Sequence, residues 1–180
     1  MDFNNIATCT NCELHKNQKA LLDKPIHADI FWLGLSAKKV ENINDSIPLN
    51  SDTNTGKIIK EIETRFSNLS FYKSNLVKCL PLNGKKLRYP TQYEINACKQ
   101  NFICELLCIR PKLVFCLGQK VFNSIKDLSN LQEFSFCKFI HIEHPSYIYV
   151  YKRKFLNDYI EKVSNLIKNE YTKFPTLNKP

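Results

Sequence analysis

Four cysteines carry the strongest chemical signal in this chain. Cys9 and Cys12 stand two residues apart, and Cys79 and Cys98 follow much later. Two close thiols and two distant ones can supply the four thiolates of a zinc site or of an iron–sulfur cluster. Spacing alone does not choose the metal. The chain has eight cysteines in all. Residues 1–7 show neither the basic nor the apolar stretch of a secretory leader. The expected location is therefore the cytoplasm, where thiols serve metals rather than disulfides. Cys104 and Cys108 fall on a helical face opposite Ile95, Phe102 and Leu106. They lie about 9–15 Å along that helix from Cys98, at 1.5 Å per residue, and cannot share a tetrahedral site with it. Cys116 and Cys137 sit in or beside strands and read as small buried hydrophobes.

The thiols need a frame. Four short apolar runs, at 29–35, 72–78, 113–118 and 138–143, read as buried parallel strands. Helical patterns over 54–66, 91–109, 119–128 and 152–169 alternate with them. Ile58, Ile59, Ile62 and Phe66 share one face of the first. Phe155, Leu156, Tyr159, Ile160, Val163, Leu166 and Ile167 make a stripe along the last. Thr91 is placed as an N-cap, with Glu94 three residues on to close a capping box. This alternation predicts an α/β fold, a three-layer α/β/α sandwich on a four-stranded parallel sheet. The polar stretch 36–53 follows the carboxyl end of the first strand, where open α/β sheets bind ligands. The chain reads as one domain over 1–171, with a tail over 172–180.

Composition bounds the partners. The 180 residues are 43% hydrophobic, enough for a core. No apolar run approaches the roughly 20 residues of a membrane-spanning helix. The net charge is +9, spread over clusters such as Lys38-Lys39, Lys85-Lys86 and Lys152-Arg153-Lys154. Such a balance fits a polyanionic partner, with nucleic acid first. A generally lysine-rich surface is the plainer account of the same charge.

Taken in order, the motifs resemble one known family. They are the paired cysteines, Ser74-Asn-Leu-Val-Lys-Cys79, Pro81, Pro90-Thr-Gln-Tyr-Glu-Ile-Asn-Ala-Cys98, Arg110-Pro-Lys-Leu-Val-Phe-Cys-Leu-Gly118 and His144-Pro-Ser146. Together they are similar to the centre of the family 4 uracil-DNA glycosylases, over residues 9–148. The resemblance implies a [4Fe–4S] cluster on Cys9, Cys12, Cys79 and Cys98, with a structural role. It implies a monomer that acts on single- or double-stranded DNA. The reaction would be hydrolysis of the bond between uracil, or a related damaged base, and deoxyribose, leaving an abasic site. No motif places a lysine as a Schiff-base nucleophile, so the activity would be monofunctional.

Such a reaction passes through an oxocarbenium-like state while the base leaves as an anion. It needs a donor at the growing negative charge, a placed water and a pocket for a flipped base. By the resemblance, His144 donates to uracil O2. Asn75 reads the base edge, its oxygen accepting from N3–H and its nitrogen donating to O4, a pattern that cytosine reverses. Gly34, Leu35, Ser36 and Leu49 would line the base pocket. The loop Gly34-Leu-Ser-Ala-Lys-Lys-Val-Glu41 departs from the family pattern Gly-Glu-Ala-Pro-Gly. Leu35 replaces the first acid, as in family 5 relatives, and Glu41 falls where a later acid would orient water. Leu49 replaces the aromatic that stacks on the base. Ser146, Tyr147, Lys152 and Arg153 after the histidine, and Thr55 and Lys57 at a helix start, are candidate DNA contacts. Two other readings stay open. One is an iron–sulfur DNA-binding protein that holds a base without cleaving it. The other is a four-cysteine zinc protein with a different partner.

Overall fold

A computed structural model describes residues 3–174. The sheet consists of β1 (Ile30–Ser36), β2 (Phe71–Val77), β5 (Leu113–Leu117) and β6 (Lys138–Ile142), all parallel, in the order β2-β1-β5-β6. Each expected strand is present, displaced by a residue at most. The helices are α1 (Asn4–Ala7), α2 (Asn54–Glu63), α3 (Gln92–Ile109), α4 (Gln119–Ile125), α5 (Pro145–Tyr151) and α6 (Leu156–Tyr171). Two-residue strands β3 (Leu82–Asn83) and β4 (Lys86–Leu87) form a hairpin between β2 and α3.

Alternation along β1 shows why both faces are covered. Ile30 and Trp32 point to one core with Ile58, Ile59 and Ile62 of α2 and Ile160, Val163 and Ile167 of α6. Phe31 and Leu33 point to the other, with Ile95, Phe102 and Leu106 of α3 and Val121 and Ile125 of α4. Successive side chains of a strand face opposite ways, so a strand buried on both sides must be apolar throughout. The result is the predicted three-layer sandwich.

Three differences from the sequence reading have local causes. An unexpected helix, α5, precedes the expected last helix, which starts at Leu156 rather than at residue 152. His144 caps α5 with Pro145 at its first turn, and Lys152 (φ −130°) breaks the chain before α6. Helix α4 stops at Ile125 and continues as a 3-10 turn, Lys126–Asn130. Helix α2 ends at Glu63, though Phe66 still packs in the core beside it. Of the expected tail, residues 175–180 lie outside the described residues. No helix among the described residues is long and apolar enough to cross a membrane.

Candidate active site

The strand order sets the place of the site. The chain leaves β1 towards β2 on one side, and β5 leads to β6 on the other. This reversal opens a crevice at the carboxyl ends of β1 and β5. A cleft of about 830 Å³ lies there. Gly34, Leu35 and Ser36 line it from the end of β1, Asn75 from the end of β2, Gly118 from the end of β5 and His144 from the end of β6. Leu49, Thr55, Ser146 and Tyr147 complete the group of expected residues in this cleft.

Gly34 and Asn75 are partners in the parallel register, so their Cα–Cβ directions share a face. A Cβ on Gly34 would lie 2.3 Å from Asn75 Oδ1 and 3.2 Å from a methyl of Leu49. The glycine therefore makes room for the asparagine amide. Asn75 is 4% exposed. Its main-chain oxygen accepts from Lys78 Nζ (2.5 Å), while no described group hydrogen-bonds its side-chain amide. An amide without a protein partner in the wall of a cleft is open to a ligand's polar edge.

His144 has a defined polarity. The Ser146 main-chain N–H donates to its Nδ1 (3.2 Å), and Ser146 Oγ lies 2.7 Å from the same atom. Nδ1 is thus an acceptor, and the ring proton belongs on Nε2. Burial holds the imidazole below its usual range, favouring this neutral form. The histidine both caps α5 and keeps a donor for the cleft. Gly118, at φ +96°, turns the chain beneath it.

Leu49 is held at φ +53°, a left-handed conformation that costs a branched side chain about 1 kcal/mol or more. Its support is the next turn. A Cβ on Gly56 would lie 1.9 Å from the Asn50 carbonyl oxygen, so loop and helix touch backbone to backbone. Thr53 caps α2 by accepting from Gly56 N–H (3.0 Å).

Not every expected residue arrives here. Glu41 lines a separate cleft with Lys19, Lys39 and Lys85. Among the described residues, no Asp or Glu lines the cleft with Asn75 and His144. Lys57, Lys152 and Arg153 also stand outside its lining. Lys152 is engaged by Glu143 (2.8 Å), and Arg153 lies over the Tyr149 ring (4.9 Å). Sequence reasoning passed over Tyr89 and Lys120, which line the cleft mouth with Val150 and Tyr151 of the segment after His144. Tyr89 is 77% exposed beneath the Lys120 ammonium (5.2 Å), and Tyr151 is 75% exposed beside Tyr147. Exposed aromatics at a cleft beside cations were the available signal.

The amino-terminal thiols form a second centre. Cys9, Cys12, Cys79 and Cys98 line one pocket, and the other four cysteines do not. Burial pushes the Cys79 thiol up to about 12, with the Cys98, Cys12 and Cys9 charges adding to the rise. The sulfurs also receive N–H donors. Asn101 Nδ2 donates to Cys9 Sγ (3.3 Å) and lies 3.7 Å from Cys98 Sγ. The Lys78 main-chain N–H donates to Cys98 Sγ (3.4 Å). Among the described residues, no three metal-ligating side chains converge on a single-ion site. A four-thiol set with N–H donors on its sulfurs still fits a thiolate-bound metal centre, whose properties such bonds tune.

Comparison with known proteins places the chain in a family. The profile of the Uracil DNA glycosylase superfamily matches residues 20–168. The chain belongs to that superfamily. A similar superfamily protein is the type-4 uracil-DNA glycosylase of Archaeoglobus fulgidus, 26% identical over 131 residues. That match covers 71% of this chain and 63% of the relative, so the chain spans under two thirds of the relative's length. The crystal structure of Pedobacter heparinus SMUG2 shares the fold, with a TM-score of 0.58 at 19% identity. It covers 79% of this superfamily member and 76% of the SMUG2 chain.

Proposed function

We propose that this protein is a monofunctional DNA glycosylase of base excision repair. It hydrolyses the bond between uracil, or a related damaged base, and deoxyribose. The observation that carries the reading is that an unpartnered Asn75 amide and a His144 ring whose Nδ1 accepts line one cleft. A flipped base enters that cleft with its edge on Asn75. Oδ1 accepts from N3–H and Nδ2 donates to O4, and cytosine presents the reverse. His144 Nε2–H donates to O2 as negative charge moves onto the departing base. Leu49 covers one base face with its methyls. The Ser36 and Thr55 hydroxyls hold water near the sugar. Glu41 has no contact with the base in this reading.

DNA passes between two jaws. Tyr89 and Lys120 form one, and Tyr147 and Tyr151 form the other. Thr55 and Ser146 line the cleft, while Lys57, Lys152 and Arg153 reach phosphates outside it. Cys9, Cys12, Cys79 and Cys98 hold a [4Fe–4S] cluster that ties the amino-terminal segment to β2 and α3. Cluster-binding thiolates suit a reducing cytoplasm, and the protein acts there as a monomer.

The test is incubation with oligonucleotides carrying uracil, hypoxanthine, xanthine and modified bases, followed by alkaline cleavage. Strand breaks at uracil that drop about 10²–10³-fold in His144→Ala are expected. No break across the whole panel sinks the enzyme reading. The missing cleft carboxylate favours one alternative, a protein that binds a flipped base without cleaving it. DNA binding that survives His144→Ala, with no cleavage before or after, would select that alternative. The cluster is tested by absorbance near 400 nm, which a zinc protein lacks.

A further inference from the structure

Behind the base-reading strand lies a charge pair that no step above uses. Lys78 is 1% exposed and Glu105 is completely buried. Their side chains form an ion pair between the end of β2 and the middle of α3. All three protons of the Lys78 ammonium are used. They go to the Glu105 carboxylate, to Ser74 Oγ (2.9 Å) and to the Asn75 main-chain oxygen (2.5 Å). Glu105 in turn accepts from Tyr72 OH (3.0 Å) and Ser74 Oγ (2.9 Å). The network closes on itself and its side chains are buried. Buried ion pairs contribute little to net stability against an apolar replacement of equal shape. A fully satisfied network instead fixes the positions of its members.

One member is the backbone of Asn75. The amide of Asn75 projects to the α2 side of the sheet, and Lys78 grips the same residue's carbonyl from the α3 side. The main-chain N–H of Lys78 also bonds Cys98 Sγ (3.4 Å). One residue therefore spans from the thiol centre to the base-reading residue.

We propose that Lys78 and Glu105 are positioning residues for Asn75, fixing the peptide that aims its amide at the base. This rests on the proposed function for its kinetic arm only. If Asn75 reads the base, loosening its peptide harms excision while leaving contact with an abasic product, which has no base to read.

The test uses the full-length protein with Glu105→Gln and the paired replacement Lys78→Met/Glu105→Met. The pair removes both charges together, so no charge is left buried and unpaired. Single-turnover excision of uracil is measured beside affinity for the abasic product. Val163→Ala, in the opposite core, serves as a purely structural control. The expected result is at least a tenfold loss of excision in both variants, with product affinity within about twofold. Val163→Ala lowers the melting temperature without that loss. In an Asn75→Ala background, Glu105→Gln should cost nothing further, since it acts through Asn75. Wild-type excision in a folded variant overturns the proposal. So does an equal loss of product affinity, or a full extra loss beside Asn75→Ala. If the wild type excises no base, the proposed function fails by itself. Crystal structures of wild type and Glu105→Gln then decide the matter. A displaced Asn75 peptide supports positioning, and an unmoved one refutes it.

Discussion

The Gly34→Ala substitution probes the closest contact in the cleft. The new methyl would stand 2.3 Å from Asn75 Oδ1, against an ordinary contact of 3.4 Å or more. Something must retreat by about 1 Å, and the peptide of Asn75 is held from behind by Lys78. The side-chain amide yields. Two base hydrogen bonds at roughly 0.5–1.5 kcal/mol each are then spoiled, about 1–3 kcal/mol in all. That corresponds to roughly 5–150-fold, in line with the roughly 10²-fold cost of an ångström's misplacement. Single-turnover excision from a uracil oligonucleotide, read after alkaline cleavage, measures the loss. The fold should survive, because the clash is with a side-chain end and not with backbone. Asn75→Ala removes the clashing oxygen, so Gly34→Ala/Asn75→Ala should be no slower than Asn75→Ala alone. Wild-type rates in Gly34→Ala, or multiplied losses in the double variant, would refute the reasoning.

Other expectations follow from single features. Burial depresses the His144 pKa, so the folded protein takes up that proton less readily than the unfolded chain. The contribution to stability is full above about pH 6.5, the unfolded value, and is lost as pH falls through the depressed one. Melting temperature should therefore fall less steeply below pH 6.5 in His144→Gln than in wild type, and equal slopes would contradict this. Leu49→Gly relieves a left-handed backbone by about 1 kcal/mol and gives up a similar amount of half-buried methyl surface. Its melting temperature should stay nearly level while KM for uracil DNA rises, and a large destabilisation would count against the strain. Glu94 bonds the Thr91 main-chain N–H (2.7 Å) and Arg88 (2.8 Å), and Arg88 above all holds its carboxyl down at about 2. Glu94→Ala should cost about 1 kcal/mol, or about 2–4 °C in melting temperature.

Residues that obey local rules were legible in the sequence. Thr91 and Glu94 form the expected capping box because both partners lie within one turn. The strands were readable because two-sided burial demands unbroken apolar runs. The hairpin of β3 and β4 left one usable sign, the glycine of its Gly84-Lys85 turn, at φ +57°. Its strands are two residues each, too short for any period to show. Helix α5 was missed because its seven residues, Pro145–Tyr151, are too few for a helical stripe to show. Position in space was harder. Counting from Gly34 put Glu41 beside the base, but the loop turns it towards Lys19 and Lys85. Lys78 and Glu105 look like interruptions in apolar patterns, and only the packing of β2 on α3 joins them. Asn75 and His144 came from motif context, and the geometry adds the Gly34 gap and the Ser146 bond to Nδ1.

The loop between β1 and α2 is fastened at both ends. At its start, Ala37 N–H bonds the Val77 carbonyl (3.0 Å), and Gln18 holds the Lys38 carbonyl (3.1 Å) and the Val40 N–H (3.1 Å). At its end, Asn50 is seated on Gly56, and Asp52 reaches back to Lys38 (3.1 Å). The span between Glu41 and Ile47 therefore hangs from a closed ring and stands apart from the base. Mutational drift, or a grafted peptide, can accumulate in that span while Leu49 stays over Gly34. The part of the loop with freedom to evolve is thereby separated from the part that shapes the cleft.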